Sequence, residues 1–182
     1  MKKLAVILFV SLSSLSIAQS DFSLSVNSGL YFPNNRIYKL GVGGLLSVHY
    51  NLYNDFAFTL TSGYTTWGYR NTEEYNTKLI PIILGMRYTL TDTYIEPYLS
   101  GEFQYLSGES FDYDYNDMVG RPLSIPIKRT KHINDYGVGF GAGILVPINY
   151  KLELDFGTSA LFTAKNSEVY NIRTTAGLIY RF

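Results

Sequence analysis

From Phe22 onward, large apolar side chains recur at every second position, and no stretch of useful length carries the 3.6-residue period of a helix. A period of two belongs to a strand, whose successive side chains leave opposite faces of the sheet. The chain is therefore constrained to an all-β fold. In the first strand Phe22, Leu24, Val26, Leu30 and Phe32 alternate with Ser23, Ser25, Asn27, Gly29 and Tyr31. The two faces are unequal: one is bulky and apolar, the other mostly small.

The same division repeats along the chain. Leu40, Val42, Leu46, Val48 and Tyr50 oppose Gly41, Gly43, Ser47, His49 and Asn51, and Phe56, Phe58, Leu60 and Tyr64 oppose Ala57, Thr59, Thr61 and Gly63. Ile80, Ile82, Leu84, Met86 and Tyr88 oppose Gly85, Arg87 and Thr89, and Ile95, Leu99, Phe103 and Tyr105 oppose Glu96, Tyr98, Ser100, Glu102 and Gln104. Tyr136, Val138, Phe140, Ala142, Ile144 and Val146 then oppose four glycines, from Gly137 to Gly143. Leu152, Leu154, Phe156, Ala160 and Phe162 oppose Glu153, Asp155, Gly157 and Ser159. A last strand from about Tyr170 to Phe182 completes the set. Eight strands follow in sequence, the even-numbered connections all short and the odd-numbered ones variable. A polar loop spans Arg70 to Thr77, a turn is read at Leu90-Thr91-Asp92-Thr93, and a long segment runs from Ser107 to Asp135. Pro81, Pro97 and Pro147 fall inside strand patterns and each removes a ladder donor, which blurs those boundaries.

A soluble barrel turns its apolar face inward and meets water with its polar face. Here the polar face, built from Gly, Ser, Thr and scattered charges, is too small to be that surface. The apolar face begins and ends in aromatics. Phe22, Tyr50, Phe56, Tyr88, Tyr180 and Phe182 fall at one set of strand ends, and Phe32, Tyr64, Tyr105, Tyr136, Phe162 and Tyr170 at the other. Two lipid–water interfaces select such girdles, and the chain's 17 Tyr and 11 Phe supply them. The expectation is an eight-stranded antiparallel up-and-down transmembrane β-barrel, apolar side out, with a packed polar lumen. Past the N-terminus no apolar stretch is long enough for a transmembrane helix, which leaves a closed barrel as the way to satisfy a backbone in lipid.

The N-terminus reads MKKLAVILFVSLSSLSIAQS: two lysines, an apolar run too short to span a bilayer, and small residues at Ser16 and Ala18. That is a secretory signal peptide, residues 1–18, leaving a single barrel domain at 19–182. The chain contains no cysteine, so disulfides contribute nothing in an oxidising compartment. Lys and Arg together number 15, matching 15 Asp and Glu, a balance that argues against a nucleic-acid partner.

The whole pattern, and the segment from Leu79 to Leu106 in particular, resembles the small eight-stranded outer-membrane β-barrels, of the kind seen in the OmpA transmembrane domain and OmpX. The resemblance implies the outer membrane of a Gram-negative bacterium, surrounding outer-membrane lipid and lipopolysaccharide, and a monomer. It also implies that the terminal strand TTAGLIYRF is read by the barrel-assembly machinery through Gly177, Tyr180 and Phe182.

Three sets of residues carry candidate chemistry. Arg87, Arg173 and Arg181 face Glu96, Glu102, Glu153 and Asp155 on the inner face, a charge network that fills and closes the lumen; a turn centred between Thr91 and Asp92 would put Arg87 directly across from Glu96. In the long segment, Tyr113 and Tyr115 precede Lys128, Arg129 and Lys131, a combination of aromatics and cations suited to a surface protein ligand or to lipopolysaccharide phosphates. The flanks of that segment keep the period of two, so the fifth and sixth strands are expected to rise past the membrane as a hairpin. Ser47 and His49 share an inner face, as an outer-membrane lipid-modifying enzyme would need, but at the wrong depth for the outer leaflet. No catalytic residue, metal ligand or cofactor site is read from the sequence. The expected function is non-enzymatic: surface binding, adhesion or envelope stabilisation through the long outer loop, with a lipid-modifying enzyme or a narrow pore as alternatives.

Overall fold

A computed structural model of the chain describes residues 22–34, 38–53, 55–68, 77–90, 94–114, 127–164 and 169–182. Eight strands follow one another: β1 (Phe22–Pro33), β2 (Gly41–Tyr53), β3 (Phe56–Trp67), β4 (Thr77–Thr89), β5 (Glu96–Asp114), β6 (Ile127–Pro147), β7 (Leu152–Thr163) and β8 (Val169–Arg181). Each pairs antiparallel with its sequence neighbours, and β1 pairs with β8 to close the barrel. The closing ladder runs from Ser23↔Arg181 to Pro33↔Asn171, as many pairs as join β2 to β3 or β6 to β7. The proposed signal peptide lies outside the described residues, as do most of the polar loop before β4 and the centre of the 90–95 turn.

The faces are those the alternation predicts. Val26, Leu46, Leu60, Leu84, Leu99 and Phe140 point outward and are exposed, while Ser25, Ser47, Thr61, Arg87 and Asp155 point inward and are buried. The outside is thus a predominantly apolar belt, with Ser28, Gly44, Ser62, Thr158 and Thr174 as small outward residues among the bulky ones. Aromatics bound it at both ends: Tyr50, Tyr88, Tyr180 and Phe182 at the end carrying the termini, Phe32, Tyr64, Tyr105 and Tyr136 at the other. Phe22 stacks against Tyr50 with centroids 4.9 Å apart, and Lys151 lies over the Tyr180 ring at 5.7 Å, placing a cation at the rim beside an amphipathic aromatic.

The three prolines are absorbed without disturbing the register. Pro97 and Pro147 occupy strand ends. Pro81 is internal, and there the β3–β4 ladder lapses between Ser62↔Ile82 and Thr65↔Leu79, then resumes in the same register. The missing donor costs a local gap only. The turn before β5 is longer than the sequence reading has it. Tyr94 and Ile95 stand outside the strands, Leu90 N–H donates to Pro97 C=O at 2.8 Å, and Thr89 faces Tyr98. Arg87 consequently faces Ser100, and Glu96 stands opposite Leu145 of β6, so the expected Arg87–Glu96 pair does not form.

The lumen is not polar throughout. Trp67, Leu79, Leu106 and Leu161 form a buried apolar cluster towards the long-loop end, with Tyr38 and Ile133 packed on it. Tyr98, Leu145 and Ile179 form a second cluster towards the termini. Glu102, Arg173 and Arg87 lie between these two clusters, while Arg181 with Glu153, and Thr77 with Ser110, lie towards the two ends. Glycine makes the space that the larger inward residues fill. Gly143 and Gly157 are cross-strand neighbours, and a Cβ on either would overlap the Tyr98 hydroxyl, so the Tyr98 ring lies over the bare backbone of that pair. Gly29 and Gly43 are likewise paired, with the edge of Tyr31 3.2 and 2.9 Å from their absent Cβ positions.

Because Leu84 and Phe140 are 57% and 65% exposed in the middle of the belt, arginine at either position should destabilise the barrel in bilayers by about 2–4 kcal/mol. Thr61→Arg, directed into the lumen, should act through crowding and be insensitive to bilayer thickness. Urea unfolding in vesicles of two acyl-chain lengths checks both; an equal, thickness-independent loss at all three positions would contradict the outward belt.

Candidate functional site: the lumen network and the raised hairpin

The inner charges arrange themselves as three separate contacts. Glu102 of β5 and Arg173 of β8 meet across the lumen, one guanidinium nitrogen lying 2.6 and 2.8 Å from the two carboxylate oxygens. The second oxygen also accepts from the Gln104 amide at 2.7 Å. The Tyr98 hydroxyl donates to Asp155 at 2.8 Å, and the Arg87 guanidinium lies 5.5 Å from the centroid of the same tyrosine ring. Tyr98 therefore links a cation on β4 to an anion on β7. Arg181 pairs with Glu153 at the end carrying the termini, the carboxylate buried and the guanidinium half exposed. Of the seven charged residues expected on the inner face, Arg87, Glu102, Glu153, Asp155, Arg173 and Arg181 enter these contacts, while the register sets Glu96 opposite Leu145 of β6 and not opposite Arg87.

The hydroxyl-rich side of the lumen supports the charges. Thr61 donates to Ser47 at 2.7 Å, the Asn27 amide donates to Ser25 at 3.1 Å, and Ser25 shares a 2.9 Å hydrogen bond with His49 Nε2. The histidine's partner is Ser25 on the neighbouring strand, not Ser47 two residues away on its own. No carboxylate completes a triad: His49 Nδ1 is buried with no hydrogen-bond partner among the described residues. The described residues also contain no group of three or more His, Cys, Asp or Glu able to hold a metal ion.

Gly177, read as part of an assembly signal, has a structural reason of its own. A Cβ there would overlap both the Asn27 amide and the Val26 carbonyl oxygen of the adjoining strand. Tyr180 and Phe182 point outward, their rings edge to face with centroids 5.4 Å apart. The Ser25–His49 contact and the Tyr98 link escaped the sequence reading. For Tyr98 a signal was present, a large inward aromatic in a strand flanked by one whose inner face is all glycine.

Above the lumen, β5 and β6 stay paired well past their neighbours. β6 joins β7 only from Gly137, whereas its pairs with β5 continue from Tyr105↔Tyr136 to Asp114↔Ile127. β4 accompanies β5 as far as Ser110. The expected raised hairpin is present, and it shortens the connection to 115–126. Along its flank His132 lies 3.7 Å from Glu109, and Asn134 accepts from Ser107 at 3.2 Å. Of the proposed binding residues, Tyr115 lies outside the described residues; for Tyr113, Lys128, Arg129 and Lys131 only the backbone is described, in the ladder pairs Tyr113↔Lys128, Asp112↔Arg129 and Ser110↔Lys131.

The Arg173–Glu102 pair is almost enclosed, with side-chain exposures of 10% and 12%. Removing one partner, as in Glu102→Ala, strands a buried guanidinium and should cost about 3–5 kcal/mol, while the double variant Arg173→Met with Glu102→Leu should recover most of that loss. Equilibrium unfolding of the parent, the single and the double variant in detergent checks this; a single variant as stable as the parent would show that the pair is not part of the lumen's support.

No protein-family model and no curated protein sequence matches the chain. Its fold, however, is shared. Neisserial surface protein A superposes with a TM-score of 0.63 at 19% identity, covering 88% of this chain and 97% of its own. Ail, the attachment invasion locus protein of Yersinia pestis, gives a TM-score of 0.60 at 14% identity over 90% and 99% of the two chains; Ail has also been solved in complex with the heparin analogue sucrose octasulfate. The outer membrane protein OprG from Pseudomonas aeruginosa gives 0.59 at 14% identity, over 90% of this chain and 96% of its own. The eight-stranded closed ladder, its outward apolar belt and its filled lumen are the fold of the small outer-membrane β-barrels.

Proposed function

We propose that this chain is exported through cleavage of residues 1–18, resides in the outer membrane of a Gram-negative bacterium as a monomeric barrel, and acts there as a non-enzymatic surface-recognition protein. The single observation that carries this reading is the raised hairpin. Ten consecutive pairs, from Tyr105↔Tyr136 to Asp114↔Ile127, extend beyond the point where β6 meets β7. At about 3.4 Å per residue they give the hairpin roughly 34 Å of strand length. β4 still flanks the first six of these pairs, up to Ser110, and the last four stand clear of both neighbouring strands among the described residues; long outer excursions are where such scaffolds carry function.

The backbone from Ile127 to Ile133 has β5 on one side and no ladder partner on the other among the described residues. Such an edge suits an extended segment of a surface protein. Lys128, Arg129 and Lys131 concentrate cations along the same stretch. They favour an anionic ligand, in keeping with the polysulfated molecule bound by Ail, and lipopolysaccharide phosphates as neighbours. A narrow pore is disfavoured by the two apolar plugs and the ion pairs between them. A lipid-modifying enzyme is disfavoured because the Ser25–His49 contact faces the lumen, away from lipid.

Replacing residues 108–133 by a tight turn above the Ser107↔Asn134 pair should leave heat-dependent gel mobility intact and abolish retention on a heparin column and on host-cell surfaces. Unchanged retention, or failure of the shortened chain to fold, would remove the hairpin from the function.

The terminal strand yields a second test. Deleting Phe182 should lower barrel yield in cells while leaving detergent refolding near normal, because one interfacial aromatic adds only about 1–3 kcal/mol of burial. Gly177→Ala should lower both, since its overlap with Asn27 and Val26 is present in any folded barrel. Equal losses in the two settings for the Phe182 deletion would make its role purely structural.

A further inference from the structure

A glycine inside a strand weakens it, and usually marks a bulge, a crowded neighbour or a close approach from outside. In the eight strands nearly every glycine has a neighbour that explains it, since a Cβ would come within 3.3 Å of another atom of the barrel. Gly44 and Gly101 do not. Nothing lies within 4 Å of either absent Cβ, and neither backbone takes the left-handed conformation that favours glycine. Gly101 shares the outward face of Leu99 and Phe103, and it is not at a bulge. Its ladder runs without a shift from Arg87↔Ser100 through Met86↔Gly101 to Gly85↔Glu102 on one side, and through Gly101↔Phe140 on the other. The folded barrel gives no reason for the missing side chain. The reason then lies outside it, in a molecule that comes close to the backbone there.

Over Gly101 the lipid-facing surface sinks into a groove of about 720 Å³. Phe58, Leu60, Leu84, Met86, Phe103 and Phe140 wall it, all of them outward and exposed. Gly101 forms the floor, with the lumen-facing Thr59, Gly85, Glu102 and Gly139 behind it; the Glu102 carboxylate is held by Arg173 on the inner side. Met86 of β4 and Phe140 of β6 flank the glycine in its own row. Strands two apart are separated by about 10 Å, which leaves one hydrocarbon chain's width between such side chains. These six walls offer no hydrogen-bonding group, so an occupant must be apolar where it touches them. The groove also has a direction. Val48 and Tyr50 line it near the girdle on the side of the termini, whereas Tyr64, Tyr105 and Tyr136 of the opposite girdle do not line it.

We propose that this groove seats one acyl chain of a phospholipid, the chain lying across the bare Gly101 backbone and its headgroup beside Tyr50. The inference rests on the outer-membrane placement above, with the hairpin outward and the termini inward. The leaflet at the Tyr50 end is then the phospholipid leaflet, and lipopolysaccharide lies on the other side. A chain in the notch touches backbone beneath it and Met86, Phe103 and Phe140 around it. A chain against the convex belt elsewhere has protein on one side only, so the seated chain gains dispersion contacts and exchanges more slowly.

The full barrel, inserted into phosphatidylethanolamine vesicles with or without added lipopolysaccharide, can be extracted in mild non-ionic detergent and weighed by native mass spectrometry. The parent should carry about one phospholipid per chain from both preparations. Gly101→Leu, which fills the notch, should lower the lipid-bound fraction several-fold. Gly44→Leu, the same change at the other open glycine, should leave it unchanged. Crystals grown with phosphatidylethanolamine brominated on its acyl chains should show bromine between Met86 and Phe140, and this map decides if Gly101→Leu does not insert. The inference is overturned by a parent that floats with the vesicles yet retains no lipid, by equal retention in Gly101→Leu, or by bromine only elsewhere on the belt. Preference for lipopolysaccharide, or a parent dimer that Gly101→Leu abolishes, would also overturn it. A parent that does not float with the vesicles would overturn the membrane placement, and this inference with it.

Discussion

A sheet with an apolar exterior can exist in hydrocarbon only if its backbone is satisfied from within, and the β1–β8 ladder is where that condition is met. Eleven register pairs, from Ser23↔Arg181 to Pro33↔Asn171, join the first strand to the last. Without them two long edges would face lipid, each with a row of unpaired N–H and C=O groups. With them the barrel has no edge in the belt, and the apolar exterior becomes a requirement of the surroundings. The interruption at Pro81 is short and leaves the register unchanged on both sides.

Closure fixes the diameter, and the diameter then decides what the lumen must contain. An eight-stranded barrel leaves an interior that side chains just fill. The chain fills it by pairing tyrosines with glycines: Tyr98 over Gly143 and Gly157, Tyr31 over Gly29 and Gly43. Those rings bring polar tips into the interior, and Tyr98 uses its tip to bind Asp155 while its face receives Arg87. The charged residues are thus held by the same devices that solve the packing problem. The Arg173–Glu102 and Tyr98–Asp155 contacts are buried among these side chains, so they operate at low dielectric, where a complete network is strong and an incomplete one is costly.

Much of this was legible in the alternation. The face assignment of Val26, Leu84 or Phe140 follows from parity alone, because a one-residue slip would turn the whole apolar set inward. The rise of β5 and β6 as a hairpin was likewise readable from the period of two that persists beyond the belt. The Arg87–Glu96 pairing was not. Parity says which face a residue takes but not which partner it meets, and that depends on how many residues the turn before β5 consumes. Tyr94 and Ile95 stay out of the ladder and Pro97 cannot donate to it, so Ser100 takes the place opposite Arg87. The apolar plugs were missed for a different reason. Leu79 sits in the run Leu79-Ile80-Pro81-Ile82-Ile83-Leu84, where both faces are apolar and alternation carries no signal. The Ser25–His49 contact joins two strands, and no single-strand pattern reports it.

The central claim is that the bulky face meets lipid and the small polar face lines a closed lumen. Single cysteines introduced into this cysteine-free chain test it directly: Leu84, Leu99 and Phe140 on one face, Ser25, Thr61 and Ser159 on the other. In barrels refolded into lipid vesicles, a membrane-confined maleimide should label the first three and leave the second three unmodified until the barrel is unfolded. Labelling of Ser25, Thr61 and Ser159 positions in the folded protein, with the other three protected, would turn the barrel inside out and contradict the account.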